Sequence, residues 1–300
     1  MRFLRSQLIA CTALVALAAP ASAHRQWLLP SATIFSGTAD WVTVDAATSN
    51  DLFYADHNPM RTDGIKVWAP DGTPSQIQNA ATGRYRSTFD VKLDKPGTWK
   101  IGTSQSSISG SFKVDGVEWR VGGRRPGGPP GSPVANPPQG AMDGAGAGAP
   151  TPRPSVASIA DIPANATDIK LTEASSRNEI FVTAGAPTNT VFQPTKKGLE
   201  LVPITHPDEL VSNEVARFRF LVDGAPAAKL KVSLVPGGKR YRDAEGALEL
   251  ITGDDGVVEI KWPMAGMFWL NASLTDSHPS EPRASDRRMS YTSTVEVLAP

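Results

Sequence analysis

The sequence predicts an all-β protein made of two sandwich units of immunoglobulin or transthyretin type. Three observations carry that expectation. Apolar residues come in short runs, several of these alternate strictly with polar residues, and 26 glycines and 26 prolines supply turns between them. No long stretch keeps the 3.6-residue period of an amphipathic helix.

The chain opens with Arg2 and Arg5, an apolar run from Leu8 to Ala19 and the small-residue stop Ala21-Ser22-Ala23. This is the composition of a cleavable secretory signal, too short in its apolar part to span a bilayer. A lipoprotein signal ending at Cys11 is the poorer reading, because it leaves almost no apolar run ahead of the cysteine. Cleavage after Ala23 predicts a periplasmic protein that begins at His24 and has lost Cys11, its single cysteine. It leaves 28 basic against 30 acidic groups, which gives no reason to expect a nucleic-acid partner. No later stretch is apolar enough for a transmembrane segment.

A first sandwich is expected over 24–121. Its runs include WVTVDAAT, GIKVWAP (64–70), STFDVKL (87–93), TWKIGTS (98–104) and ISGSFKV (108–114). In the third of these, Phe89, Val91 and Leu93 point to one face while Asp90 and Lys92 point to the other. APDGTP and LDKPGTW between the runs are turn sequences, with proline fixing φ and glycine accepting positive φ. Residues 122–158 form a Gly/Pro-rich segment expected to be a disordered linker: from 122 to 154 it holds no Ile, Leu, Phe, Tyr or Trp with which to offset ordering entropy. Strand runs resume at 168–174, 179–185 and 199–205, so 159–206 is expected to complete the first sandwich. The second sandwich is placed at 207–300, with TGDDG as a tight hairpin turn. From VDGAPAAKLKV to MFWLNASL the order of residues resembles a small transthyretin-like or carboxypeptidase-regulatory module, a class that binds or spaces more often than it catalyses.

Catalytic motifs are missing: there is no H-E-x-x-H, G-x-S-x-G, Walker loop or dinucleotide-binding glycine pattern, and the chain is expected to be non-enzymatic. The histidines are the chemistry that remains. As a first residue, His24 would present an α-amine and an imidazole, two neutral nitrogens able to chelate one transition-metal ion. His57 in YADHN is the preferred third donor because it closes a loop in the same half, with Asp56 as a ligand or orienting partner. Such a set would resemble the histidine brace of copper proteins. His206, beside Pro207, is a weaker candidate ligand and a good hydrogen-bonded hinge residue, while His278 in a polar loop is expected to be exposed. No pair has the H-x₃₋₅-H spacing of a local zinc site, so the fold must assemble any centre. Trp27, Trp41, Trp68 and Trp99 could form a sugar-stacking platform, but core packing is the expected role.

The start AHRQWLLP, then DLFYADHNPMR, FVTAGAPTNT and KKGLELVPITHPDEL followed by a C-terminal sandwich, closely resemble the bacterial domain-of-unknown-function family 4198. The resemblance implies an exported two-part β protein associated with transition-metal acquisition, since family members often carry labels of cobalt- or nickel-type uptake. The leading expectation is an accessory protein that binds or hands over a metal ion or its complex to an envelope uptake component. The alternatives are a structural or ligand-binding module that engages an envelope protein or a glycan and, ranked last, a copper oxidase of the brace type. Donor chemistry leans to copper and the family labels to nickel or cobalt, so the metal stays open.

Overall fold

The structure is a computed structural model that describes residues 24–38, 40–122 and 153–300. Residues 1–23, the expected signal segment, and nearly all of the Gly/Pro-rich segment lie outside the described residues. Twenty strands follow in order: β1 (Arg25–Pro30), β2 (Ile34–Phe35), β3 (Asp40–Ser49), β4 (Asn58–Pro59), β5 (Ile65–Trp68), β6 (Pro74–Ser75), β7 (Gln78–Thr82), β8 (Ser87–Leu93), β9 (Gly97–Val114), β10 (Val117–Val121), β11 (Ser155–Val156), β12 (Thr167–Ala184), β13 (Leu199–Pro203), β14 (Val215–Val222), β15 (Ala225–Pro226), β16 (Lys231–Pro236), β17 (Leu248–Ile251), β18 (Val257–Lys261), β19 (Gly266–Asp276) and β20 (Asp286–Val297). The only helical pieces among the described residues are three-residue 3-10 turns. The chain is all-β, as its sequence predicts.

The described residues form three sheets. A large one runs β11-β10-β9-β12-β20-β19-β16-β17, with β2, β5 and β6 at its margins. A second runs β1-β3-β8-β7 with β4 beside β3, and a third joins β13, β14, β15 and β18. Both smaller sheets pack on the large one, on opposite faces. Ile180, Val182 and Ala184 of β12 meet Leu28, Val42, Val44 and Phe89 in the first core. Arg177 and Glu179, of opposite parity on the same strand, are in register with Tyr291 and Ser293 of β20. Tyr291 lies in the second core, with Phe218, Phe220 and Ile260 of the third sheet and Trp262 just beyond it. Alternation along a strand therefore gives each core its own face.

Four expectations differ from the structure. The apolar runs at 98–104 and 108–114 are one 18-residue strand, β9, and those at 168–174 and 179–185 are one 18-residue strand, β12. Between the runs, Gln105–Ser107 are exposed and Ser175–Arg177 only part-buried, outside both the cluster of Ile101 and Ile180 and that of Phe112 and Leu171, so no apolar pattern is needed there. TGDDG is not a hairpin: β17 pairs with β16 in the large sheet, whereas β18 pairs with β14 in the third sheet. The turn, closed by Gly253 N–H to the Val257 carbonyl at 2.8 Å, carries the chain between layers. Residues 159–206 divide in the same way: β12 lines the first core, but β13 pairs with β14, and Leu199 and Leu201 enter the second. At the end of the expected linker, Ser155–Val156 pairs in parallel with Arg120–Val121, and Ser158 caps a 3-10 turn.

The pairing of the two long strands is tight at Gly102 and at Gly110. A Cβ on Gly102 would overlap the Asn178 carbonyl oxygen and sit 2.9 Å from Glu179 Cα, all of it backbone that cannot swing aside. Gly102→Ala should therefore cost roughly 1–3 kcal/mol in denaturant unfolding, whereas Gly37→Ala, with open space around it, should be nearly neutral.

Candidate functional site

Strand β3 positions the two histidines of the first half. Its last residues are flanked on one side by β1, with Arg25 opposite Ser49, and on the other by β4, with Asn58 opposite Thr48. Both neighbours are antiparallel to β3, so both begin where β3 ends. His24 precedes the first residue of β1 and His57 precedes the first residue of β4, and the two imidazoles meet over that end. Their centroids are 3.8 Å apart and their planes 16° from parallel.

The loop between β3 and β4 is held from inside. Trp27 donates its indole N–H to Ser49 Oγ at 2.7 Å, and Ser49 Oγ donates to the Asp51 carbonyl at 2.6 Å. Phe53 packs edge-on against Trp27, and Asp56 accepts the Asn50 backbone N–H at 2.9 Å. Asp56 thus ties its own loop. Outside the loop lies the 237–245 segment of the second half: the Arg240 guanidinium stacks 3.6 Å from the Tyr54 ring, and Lys239 Nζ lies 3.4 Å from Asp51.

An ion bound to an imidazole nitrogen sits in the plane of the ring. Two rings stacked nearly parallel cannot share one, so a turn of one side chain must precede chelation by both. No group of three His, Cys, Asp or Glu side chains is gathered for a metal among the described residues. The structure brings together His24 and His57, and it leaves Asp56 and His206 outside the pair.

His206 serves elsewhere. It is buried, its Nδ1 accepts the Asp208 backbone N–H at 3.1 Å, and its Nε2 therefore carries the proton and donates to Thr98 Oγ1 at 2.9 Å. Thr98 Oγ1 also accepts the Thr188 backbone N–H, so its own proton goes to Thr183 Oγ1, which donates to Asp208 Oδ2 at 2.5 Å. Every donor in this chain has an acceptor, which is what burial of polar groups demands. Both ring nitrogens are spent inside the protein, and neither is free for an ion. A His206 that donates to Thr98 also cannot act as its base. His278 is exposed, with its backbone N–H on Asp276 Oδ1.

The tryptophans do not make a platform. Trp27 and Trp99 are core residues, Trp68 is half-buried beneath the Lys100 ammonium, and only Trp41 is exposed among these four. A recess of about 480 Å³ opens over the serine-rich middle of β9 and β12. Its Arg287 is bound by Asp223 and Asp276, each at 2.7 Å, and its Glu173 accepts Ser280 N–H and Oγ–H. Sequence reasoning passed over Tyr54, Arg240, Glu245, Thr98 and Asp208. KRYRDAE between strand runs, with three basic residues in four, was the available signal for the second-half loop.

Residues 21–276 match the profile described as domain of unknown function DUF4198. The chain belongs to this family. No curated protein matches it. Among solved structures, the human OSCAR ligand-binding domain is 10% identical with a TM-score of 0.19, and the alignment covers 91% of this chain and 98% of that one. Escherichia coli alpha-2-macroglobulin activated by porcine elastase is 11% identical at 0.21, covering 92% and 20%. A DUF4785 family protein from Legionella pneumophila is 10% identical at 0.21, covering 81% and 50%. Likeness at this level carries no argument about activity. In this DUF4198 chain no helix among the described residues is long and apolar enough to cross a membrane.

The buried network has a pH signature. Burial, reinforced by Glu296 and Glu209, pushes the Asp208 carboxyl up to about 7, against the Thr183 hydrogen bond that favours its charged form. Between the unfolded value of 3.8 and about 7, the folded state keeps a proton that the unfolded state has lost. Stability from this group is therefore full below the lower value and falls as pH rises through the window. Burial holds His206 below its ordinary value, which acts in the opposite sense as pH falls. The comparison with Asp208→Asn isolates the carboxyl: the stability of the variant relative to wild type should rise by on the order of 2 kcal/mol between pH 5 and pH 8 in urea unfolding.

Proposed function

We propose that the chain is exported to the periplasm, is cut after Ala23, and there works as a non-enzymatic accessory protein that captures a transition-metal ion and hands it over during uptake. The observation that supports this reading is the meeting of His24 with His57 over the end of β3. The pair lies at the surface, reaches across 33 positions of sequence and takes no part in either core. With the α-amine of His24 freed by cleavage, the group would offer three nitrogen donors, a set suited to copper, nickel or cobalt. Chelation by both imidazoles requires one ring to turn so that its nitrogen faces the same point as the others.

An uptake carrier needs a site that opens to solvent and releases its ion, and His24 is exposed. The buried His206 chain, whose proton polarity leaves no base beside Thr98, supports the non-enzymatic reading over hydrolysis. A second reading draws on Tyr241, 84% exposed beside Arg240 and Tyr54: this aromatic and basic surface suits a module that engages an envelope protein or glycan.

Titration of the processed protein with Cu²⁺, Ni²⁺ and Co²⁺ at pH 7 and pH 5 tests the leading reading. Stoichiometric binding that survives dialysis and weakens at pH 5 is expected, because protons compete for every donor. His24→Ala and His57→Ala should each weaken it at least tenfold, about 1.4 kcal/mol. One extra residue ahead of His24 should weaken it likewise by turning the amine into an amide. Equal binding by the extended and processed proteins removes the amine from the ligand set, and no binding by either leaves the second reading.

A further inference from the structure

We infer that Arg25 and Glu245 are a positioning pair for the proposed metal site, clamping the start of β1 to the second half of the protein so that His24 is held against His57. The inference rests on the reading given above. His24 stands one residue ahead of β1 and is exposed, so the strand ladder does not by itself fix where its ring lies. A strand end of this kind frays unless something ties it.

Three contacts tie it. Both terminal nitrogens of Arg25 reach the Glu245 carboxylate, Nη1 to Oε1 and Nη2 to Oε2, the second at 3.3 Å. The same guanidinium lies 5.3 Å from the centre of the Trp269 ring. Trp269 donates its indole N–H to the Gln26 carbonyl at 3.0 Å. An isolated surface ion pair contributes little, but a two-point arginine fork that also lies over an aromatic face is the arrangement in which such a pair holds a geometry. Once the chain is cut after Ala23, a single residue separates this anchor from the free amine.

Glu245 is itself braced. Arg242 donates to the carbonyls of Glu245 and Pro236 at 3.0 Å and of Gly237 at 2.6 Å, which closes the 237–245 loop on itself. Gly237 lies so close to Phe53 that an added Cβ would stand 2.6 Å from its ring. The Lys239–Asp51 and Arg240–Tyr54 contacts bind the same loop to the segment that carries His57. One loop of the second half therefore touches both histidine-bearing segments of the first and sets their spacing.

The test uses the processed protein with Arg25→Ala, Glu245→Ala and Glu245→Gln. Glu245 is 220 residues from Arg25, so its variants leave the chain around His24 untouched. Two quantities are read: copper affinity, and, without metal, the upfield ring-current displacement of the His24 ring protons in NMR, identified by its loss in His57→Ala. Arg25→Ala and Glu245→Ala should lose that displacement and bind copper about tenfold more weakly, with unfolding midpoints close to wild type, and Glu245→Gln should fall between. Persistence of the displacement in both alanine variants overturns the inference whatever the affinities do. If the wild type fails to bind copper, the reading above falls, and the NMR comparison still decides whether the clamp positions His24.

Discussion

The hydrogen-bonded ladder between β9 and β12 is the constraint on which the other parts depend. Both strands run through both halves, from Thr98 and Thr183 beside His206 to Lys113 opposite Thr167. A strand turns successive side chains to opposite faces, so one pair of strands can line a core on one face near one end and support a core on the other face near its middle. The two halves are therefore not separate beads on a string. They share backbone, and the polar groups buried where they meet, the Thr98–Thr183–His206–Asp208 chain and the Arg177–Glu179–Tyr291 cluster, sit on the face of the shared strands that looks toward the third sheet.

The same ladder explains which parts of the fold were legible in the sequence. Where a strand has one buried and one open face, as in β8 with Phe89, Val91 and Leu93, the alternation is plain and the strand is found at its correct bounds. Where both faces are open, as at Ser104–Ser107, the pattern vanishes although the backbone pairing continues. Long strands were for that reason read as two. TGDDG was misread for a related cause: a Gly-rich turn specifies a reversal of direction, but whether the following strand returns to the same sheet depends on which core its side chains enter, as Val258 and Ile260 do.

The candidate site was half legible. His57 could be matched to His24 because both lie next to strand runs in one half and a short loop can bring one back to the other. The face-to-face attitude of the rings, and the use of Asp56 to close its own loop, depend on side-chain torsions that no residue pattern encodes. Arg25 and Glu245 leave no local signal, since pairing across 220 residues is a property of topology alone. His206 was correctly suspected of a hydrogen-bonded role, yet its partners come from two distant strands and could not be named.

The pairing of β10 with β11 has a bearing on chain length. Arg120 and Val121 lie beside Ser155 and Val156, so Gly122 and Pro154 both stand at this sheet edge. Where two anchor points lie close together, the entropy of closing the chain between them grows only with the logarithm of its length, about 0.6 kcal/mol for each doubling. This edge can therefore serve as a port: residues can be inserted there, removed, or replaced by a tag or a second domain while the two cores and the joint between them keep their registration.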